Sequence, residues 1–173
     1  MKQVTTMLML FIFAFRLSAQ SPEPKAKDVD SMDHIIAALY DVISGPKGEK
    51  RDWDRMRSLF HENAKLIPTG KNQQGEIQIR YWTVDDYITT AGAGLERDGF
   101  FEVETHRVVE DYGTITHVFS TYDSRRNLSD EKPFARGINS IQLLKDDHRW
   151  YILNVTWMGE NAAYPLPKKY LTK

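Results

Sequence analysis

Two histidines and two carboxylates lie on neighbouring stretches whose apolar and polar residues alternate as in β-strands. They are Glu104 and His106 on the first stretch, and His117 and Asp123 on the second. A histidine with a pKa near neutrality, oriented by a carboxylate, can move a proton beside an enolisable substrate. Glu104, His106, His117 and Asp123 are therefore candidate catalytic residues for general acid–base chemistry.

The turn between the two stretches decides which side chains share a face. If Tyr112 and Gly113 form a two-residue turn, or residues 111–114 a four-residue one, His106 pairs with Phe119, and the two-residue side-chain period gathers six polar residues on one face. These are Glu102, Glu104, His106, His117, Thr121 and Asp123. His106 and His117 then become diagonal neighbours about 7 Å apart. A three-residue turn would scatter the set.

The same pattern has a second interpretation, in which the Glu-x-Glu-x-His strand alternates outward to solvent and His117 is a hydrogen-bonded residue at the rim. The ligand spacing between these residues is no more specific than i, i+2, which is too weak to indicate a metal site. We therefore expect no metal ion and no other cofactor. Catalysis by the histidines and a solvent-facing strand both stay open.

A second polar set lies in the last third of the chain. Two stretches rich in β-branched and aromatic residues flank the polar turn at residues 145–148 and predict a hairpin. With its turn at Asp146 and Asp147, Asn139 pairs with Asn154. If the loop between the two hairpins keeps parity, this face continues the histidine face as the concave, pocket-lining surface. Its candidate ligand-binding residues are Asn139, Asn154, Trp150, Ile152 and Thr121.

The opposite face of the predicted sheet carries aromatic residues and an arginine. Its members are Tyr122, Arg136, Tyr151 and Trp157. Aromatic residues and arginine are enriched at the centres of protein interfaces. We therefore expect a homodimer that forms through this face.

Helices and short strands precede these hairpins. Apolar residues at helical spacing predict a helix over residues 31–44, and a second, shorter helix begins at Asp52. A third helix opens at the capping-box-like segment 83–86. Residues 64–68 and 76–82 are predicted strands between the second and third helices. Helices that come first and a sheet that comes last predict an α+β domain.

The first 19 residues have the pattern of an export signal. A basic residue, Lys2, precedes an apolar run at 7–15, and small residues surround a cleavage point after Ala19. Nine apolar residues are too few for a membrane span, which takes about 20 in a helix. We expect export to the periplasm or the medium; because Arg16 interrupts the pattern, an uncleaved N-terminal anchor is the alternative. The expected division is a signal peptide (1–19), a flexible tether (20–30), one domain (31–160) and a C-terminal tail (161–173).

Composition excludes several functional classes. The chain has no cysteine, which excludes disulfides, thiol catalysis and lipid attachment at a cysteine. It has 23 Lys and Arg against 24 Asp and Glu, and loss of Lys2 and Arg16 with the signal leaves a net charge of about −3. Such a chain offers no basic field to nucleic acid or to an anionic membrane. We expect neither as a partner.

The order of elements and two segments resemble a known superfamily. Three helices, a hairpin, then Arg-Gly-x-Asn-Ser-Ile-Gln-Leu at 136–143 and Arg-Trp-x-Ile-x-x-x-x-Trp at 149–157 are similar to nuclear transport factor 2-like proteins, in their SnoaL-like or ketosteroid-isomerase-like branch. The resemblance covers about residues 31–160. It implies a cone-shaped α+β barrel, with N-terminal helices packed against a curved, mainly antiparallel sheet that leaves a pocket, and dimers formed through sheet surfaces.

The resemblance implies no single function, because the superfamily includes isomerases, dehydratases, cyclases and non-catalytic binding or assembly domains. The isomerase-type pair of a strand Asp base with a Tyr and an acidic donor has no residue-by-residue counterpart here. We expect an exported pocket protein that binds a small apolar or amphipathic organic molecule without turnover. The alternatives are an isomerase, dehydratase or cyclase that uses His106 or His117, and a structural dimer module with a filled cone. An open cone with His106 outside it would remove the histidine enzyme.

Overall fold

The computed structural model describes residues 22–171. The expected signal peptide at residues 1–19 lies outside the described residues. Within the described range, every helix is too short or too polar to cross a lipid bilayer.

Residues 22–171 include four α-helices and a short C-terminal 3-10 helix. They are α1 (Ala26–Val29), α2 (Met32–Ile43), α3 (Trp53–Leu59), α4 (Val84–Asp98) and the 3-10 helix Lys168–Tyr170. Side-chain caps define the helix starts that the sequence predicted: the Ser31 hydroxyl accepts from the amide of His34, and the Thr83 hydroxyl accepts from the amide of Asp86. The Asp86 carboxylate accepts in return from the amide of Thr83, which completes the capping box.

Helix α1 lies inside the stretch that we expected to be a flexible tether. Val29 is buried, and the Asp28 carboxylate accepts two hydrogen bonds from the Arg55 guanidinium, at 2.6 and 3.0 Å. Hydrogen bonding to Arg55 holds the pKa of Asp28 below its ordinary value. The tether prediction was wrong for residues 26–29, because one buried side chain and one ion pair anchor this segment to the domain.

Six strands form one curved, open sheet. They are β1 (Phe60–Lys71), β2 (Ile77–Ile79), β3 (Phe101–Tyr112), β4 (Ile115–Arg125), β5 (Ala135–Lys145) and β6 (Trp150–Gly159). Their order is β2-β1-β6-β5-β4-β3, and neighbours are antiparallel except for the parallel pair β1 and β6. The sheet curves around the helices, so the α+β cone predicted from the sequence is confirmed.

The hydrophobic core fills the space between the helices and the concave face. Its most deeply buried side chains come from α2, α3 and the inner face of β4, β5 and β6: Ile35, Ile36, Met56, Leu59, Val118, Ile141 and Ile152. Complete burial of one such side chain contributes about 1.5–3 kcal/mol of stability. This packing holds the concave wall of the sheet in place.

The turn between β3 and β4 differs from the predicted one. Tyr112 pairs with Ile115, so the turn residues are Gly113 and Thr114 rather than Tyr112 and Gly113. Gly113 has a φ of 62°, in the left-handed region that favours glycine. The predicted β3–β4 register was therefore wrong, because every residue of β3 meets a partner displaced from the one expected.

A β-bulge in β3 then separates residues that the sequence placed on one face. Glu104 pairs with Tyr122, whereas His106 pairs with Thr121, so that Thr105 lies in the bulge. An extra residue reverses the facing of all side chains beyond it. Glu102 and Glu104 consequently face the helices, and His106 faces the convex side.

The last hairpin also differs from its prediction. Lys145 pairs with Trp150, and the Asp146 amide donates to the Arg149 carbonyl at 3.1 Å, so four residues rather than two form the turn. A second bulge follows, and it places Asn154 opposite Gln142 on the convex face. The predicted pairing of Asn139 with Asn154 was wrong; Asn139 pairs with Trp157 on the concave face.

Candidate functional site

A cavity of about 380 Å³ lies between the concave face of the sheet and helices α2 and α4. Six aromatic side chains form much of its wall: Trp82, Tyr87, Phe100, Tyr122, Phe134 and Trp157. Three polar side chains interrupt the apolar lining: Glu102, Ser124 and Asn139. A largely apolar cavity of this size with a few converging polar groups is typical of a small-molecule site.

Three aromatic rings from different elements form one side of the cavity. The Trp82 backbone forms a bridge with Leu66, Tyr87 lies in the first turn of α4, and Trp157 lies on β6. The three ring centroids lie 6.2–6.4 Å apart, in tilted or edge-to-face contacts. Such geometry is favourable for aromatic pairs and keeps this wall in a defined shape.

Glu102 places a carboxyl group at the cavity from the start of β3. One carboxylate oxygen accepts from Asn139 Nδ2 at 3.2 Å, and the other accepts from Ser124 Oγ at 3.1 Å. Burial raises the pKa of Glu102 from 4.5 to about 7, because the charged form is poorly solvated here. The carboxyl therefore exchanges between its neutral and charged forms near neutral pH.

A chain of hydrogen bonds connects Glu102 with the helix layer. Asn139 Nδ2 donates both to Glu102 and, at 3.1 Å, to the Tyr40 hydroxyl, which lies 2.7 Å from Ser120 Oγ. Ser120 in turn donates to the Glu104 carboxylate. Since Tyr40 accepts from Asn139 and the Ser120 proton goes to Glu104, the Tyr40 hydroxyl donates to Ser120. The chain thus has one direction and holds the amide nitrogen of Asn139 toward Glu102.

The far end of this chain is anchored by an ion pair. Arg107 donates from Nε to the Glu104 carboxylate at 2.8 Å and from Nη1 to Asp33 at 2.7 Å. Glu104 and Arg107 lie on either side of the β3 bulge and both face α2. The bulge therefore brings this ion pair to the same face as Glu102.

Two tyrosines of the cavity wall are affected by Glu102. Burial raises the pKa values of Tyr87 and Tyr122, and the negative charge of Glu102 raises them further. Close approach of the Tyr122 ring depends on Gly137, where a Cβ atom would lie 2.5 Å from the Tyr122 hydroxyl. Both hydroxyls stay protonated at neutral pH and can donate hydrogen bonds.

The structure does not bring the four candidate catalytic residues together. Glu104 faces the helices, while His106, His117 and Asp123 belong to the convex face. His117 Nε2 lies 3.0 Å from Ser140 Oγ, and the carboxylate of Asp123 accepts from Arg125 at 3.0 Å. The predicted shared face holds for His106, His117 and Asp123, and it was wrong for Glu104, which the β3 bulge turns to the opposite face. Because His106 lies outside the cone, an enzyme that uses His106 in the pocket is removed, while a catalytic role for Glu104, His117 and Asp123 stays a prediction.

The five candidate ligand-binding residues are also divided. Asn139 lines the cavity, whereas Ile152 and Trp150 lie on the concave side within or against the core. Thr121 faces the convex side, where its hydroxyl donates to the Tyr170 carbonyl at 2.8 Å, and Asn154 shares that side. Their placement on one continuous surface was therefore wrong for Thr121 and Asn154.

The predicted dimer surface is divided as well. Tyr122 and Trp157 line the cavity, and only Arg136 and Tyr151 face outward. The C-terminal tail packs on this convex side, with the ring of Tyr170 at 5.0 Å from that of Phe119. The prediction of this four-residue surface was wrong, while the homodimer itself stays a prediction.

Sequence reasoning missed the central residue of the site. Glu102 was placed on the right kind of face but not among the candidates for chemistry, and Tyr40 was not singled out. Tyr40 follows Ile36 by four residues on the buried stripe of α2, and a buried tyrosine hydroxyl usually finds a partner. A tyrosine on the buried stripe of α2 was therefore the sequence signal for a polar network next to this helix.

No protein-family model matches this chain, and no curated protein matches it in sequence. Three solved structures are similar to it. A protein of unknown function with a cystatin-like fold from Nostoc punctiforme is 13% identical, with a TM-score of 0.56 over 75% of this chain and 89% of that one. A protein of unknown function from Mycobacterium tuberculosis is 14% identical, with a TM-score of 0.56 over 77% and 72%. A candidate ketosteroid isomerase from Shewanella frigidimarina is 13% identical, with a TM-score of 0.50 over 79% and 99%.

Identities this low establish the fold and not the chemistry. The chain has the nuclear transport factor 2-like fold, as the sequence resemblance predicted. Its assignment to the SnoaL-like branch stays a prediction.

Proposed function

We propose that this protein binds a small, largely apolar organic molecule in the cavity of the cone, and that Glu102 holds a polar group of that molecule. One observation carries the proposal: a single, half-buried carboxyl group lines a 380 Å³ cavity whose wall is mostly apolar and aromatic. The charged form of this carboxyl is poorly solvated, and its two hydrogen bonds come from the neutral side chains of Asn139 and Ser124. A ligand that supplies a further polar partner would offset the remaining cost in free energy.

The cavity volume favours a binding protein over a structural module with a filled cone. Side chains of well-packed cores leave few voids larger than a water molecule. A cavity of about 380 Å³ that opens to the surface is not a packing defect of this kind, so side chains do not fill the cone. It is large enough for a small organic ligand.

A matched pair of variants on α4 tests ligand binding. Ala91 lines the cavity, while Ala93 is exposed on the same helix. Phenylnaphthylamine, a neutral apolar fluorophore, should bind the unmodified protein and the Ala93→Phe variant equally. Ala91→Phe fills the cavity and should weaken binding at least tenfold, a change of about 1.4 kcal/mol. Failure of the dye to bind the unmodified protein would contradict the proposal, and equal binding by both variants would place the dye elsewhere.

A different observation supports a second candidate function, general acid–base catalysis. The pKa of Glu102, about 7, matches the requirement for a general base or acid at neutral pH, and the Tyr122 hydroxyl lines the same cavity. An isomerase or dehydratase would then use Glu102 and not the histidines, because His106 lies outside the cone. Solvent deuterium exchange beside the carbonyl of a cyclic enone should be accelerated by the unmodified protein and by Glu110→Gln. Glu102→Gln should abolish it.

Export and dimerisation are part of the same proposal. They are supported by the sequence pattern at residues 1–19 and by the resemblance to superfamily members that dimerise. Intact-mass analysis of secreted protein should give a chain that begins at Gln20, and light scattering at high micromolar concentration should give a dimer. A mass that retains Met1, or a monomer under these conditions, contradicts the respective part.

A further inference from the structure

Among the residues that the structure describes, the cavity has one carboxyl group and no cationic side chain in its lining. Among the described residues that line it, Glu102 is the only one with a formal charge, and no Lys, Arg or His shares the lining. The hydrogen bonds to its carboxylate come from Asn139 and Ser124, both neutral. The positive charge that would complement ionised Glu102 must therefore come from the ligand.

The aromatic wall favours the same kind of ligand. Faces of Trp, Tyr and Phe rings carry partial negative charge and attract cations within about 6 Å of the ring centroid. Two of the rings that line the cavity already contact cations that are not part of its lining. The Arg126 guanidinium lies 4.3 Å from the ring centroid of Phe134, and the Arg80 guanidinium lies 6.0 Å from that of Trp82. Inside the cavity, the lining supplies further aromatic side chains and no cation.

We propose that the ligand is an organic cation, a protonated amine or a quaternary ammonium with an apolar body, whose charged group pairs with Glu102 among the aromatic rings. This inference rests on the proposed function. The apolar body would occupy the space beside Trp82, Tyr87 and Trp157. Aromatic cages with a carboxylate are suited to such cations, because they replace lost hydration with ring faces and an ion pair.

A neutral ligand with a carbonyl or hydroxyl group is the competing class, and pH separates the two. A cation requires the charged form of Glu102, so its affinity rises as pH increases through 7. The other titratable groups that face Glu102 are Tyr40 from α2, Tyr87 from α4 and Tyr122 from β4, and burial raises the pKa values of all three. They stay neutral in this range. Glu104 is paired with Arg107, and Arg80 and Arg126 remain charged outside the cavity.

Benzyltrimethylammonium and neopentylbenzene form a suitable probe pair, because they share a shape and differ by one positive charge. Calorimetry or quenching of tryptophan fluorescence would measure their affinities at pH 8 and pH 6. At pH 8 we expect the cation to bind at least tenfold more tightly than its neutral counterpart. With a pKa of about 7 for Glu102, the ionised fraction changes by about tenfold between these pH values, and the affinity for the cation should fall by the same factor at pH 6.

Two variants test whether the affinity for the cation and its pH dependence come from Glu102. Glu102→Gln retains the shape and removes the charge, so it should lower the affinity for the cation at least tenfold and abolish its pH dependence. Glu110→Gln makes the same change on the convex, exposed side of β3 and should alter neither. If Glu102→Gln fails to fold, as judged by its thermal unfolding, Trp82→Leu replaces it as the test. Trp82→Leu should lower the affinity for the cation more than the affinity for neopentylbenzene.

The possible outcomes separate this inference from the proposed function. The cation proposal is overturned if neopentylbenzene binds as tightly as the cation, or if cation binding is independent of pH. Either result leaves the proposal of small-molecule binding intact. Phenylnaphthylamine binding without benzyltrimethylammonium binding overturns the cation in the same way. If none of the three compounds binds, both proposals fail.

Discussion

The two faces of one sheet give similar residues different properties. On the concave face, Glu102 is half-buried, accepts hydrogen bonds from two neutral side chains and has a pKa raised to about 7. On the convex face, eight residues along the same strand, the side chain of Glu110 is 79% exposed and lies 3.7 Å from His117 Nδ1. The difference shows that enclosure, and not residue type, makes a carboxyl group a candidate for binding or catalysis.

Polar groups on the two faces also have different partners. The concave face has a directed chain of hydrogen bonds through Asn139, Tyr40 and Ser120, all buried. The convex face has local pairs, such as Arg136 with Glu160 at 2.8 Å. Loss of one member should therefore cost more on the concave face, where water cannot replace the missing partner.

The largest expected effect comes from the core beneath the cavity. Ile141→Ala removes a completely buried side chain of the concave face and should lower the free energy of unfolding by about 2–5 kcal/mol. Val108→Ala on the convex face, where the side chain is 39% exposed, should change it by less than about 0.5 kcal/mol. Urea unfolding of both variants measures the contrast, and similar losses would show that the faces are not energetically distinct.

The second effect is a pH dependence of stability that depends on Glu102. Its folded-state pKa of about 7 exceeds the ordinary 4.5, so the folded state binds more protons between these values and stability falls as pH rises through this window. The full cost above pH 7 is about 3 kcal/mol. Glu102→Gln should remove this cost of ionisation. The stability of the variant at pH 8 should therefore rise relative to its stability at pH 5. Unchanged pH dependence in this variant, measured by urea unfolding beside Glu110→Gln, would contradict the assignment.

A smaller effect is expected in the hydrogen-bond chain. Tyr40→Phe leaves Asn139 without one acceptor and Ser120 without its donor, at a cost of about 1–3 kcal/mol. Tyr112→Phe removes the same hydroxyl from a side chain that is 83% exposed and should have almost no effect. Thermal unfolding of the two variants measures the difference in stability. Equal melting temperatures for the two variants would mean that the buried chain adds no stability.

The smallest effect is expected on the convex face. Arg136→Ala breaks a partly exposed ion pair with Glu160 and should cost less than about 1 kcal/mol, with a smaller difference at high salt. Urea unfolding at low and high ionic strength measures this. Glu160 also accepts from the amide of Leu166 in the C-terminal tail, so a loss above about 2 kcal/mol would indicate that the tail contributes more to stability than the ion pair alone explains.

Local signals in the sequence predicted the helices and the class of fold well. The start of α2 at Ser31 and the capping box at Thr83 depend on residues within four positions of each other, so they can be found without tertiary information. The strand pattern was equally visible, although β1 proved longer than the predicted residues 64–68. Its parallel pairing with β6 joins distant segments and had no local signal.

The candidate site was the part that sequence reasoning placed wrongly. Three features were responsible: the bulge at Thr105, the bulge in the last hairpin, and the loop between β4 and β5, which did not keep the expected parity, because Asn139 pairs with Ser120 and does not share the face of His117. Each changes the register or reverses a face, and alternation of apolar and polar residues cannot detect a single inserted position. Consequently His106 and Thr121 were assigned to the concave side, where Glu102 and Tyr40 actually form the polar centre.

The sequence by itself determined the elements, their order and the absence of cysteine and of a basic field, because these follow from composition and from contacts between near neighbours. Only the tertiary structure decided which acid became chemically distinctive. Glu102 has a raised pKa because side chains from several elements, among them rings from β4, β6 and α4, surround its carboxyl group and reduce its solvation. Desolvation depends on every element around a group, so a pattern within one strand could not reveal it.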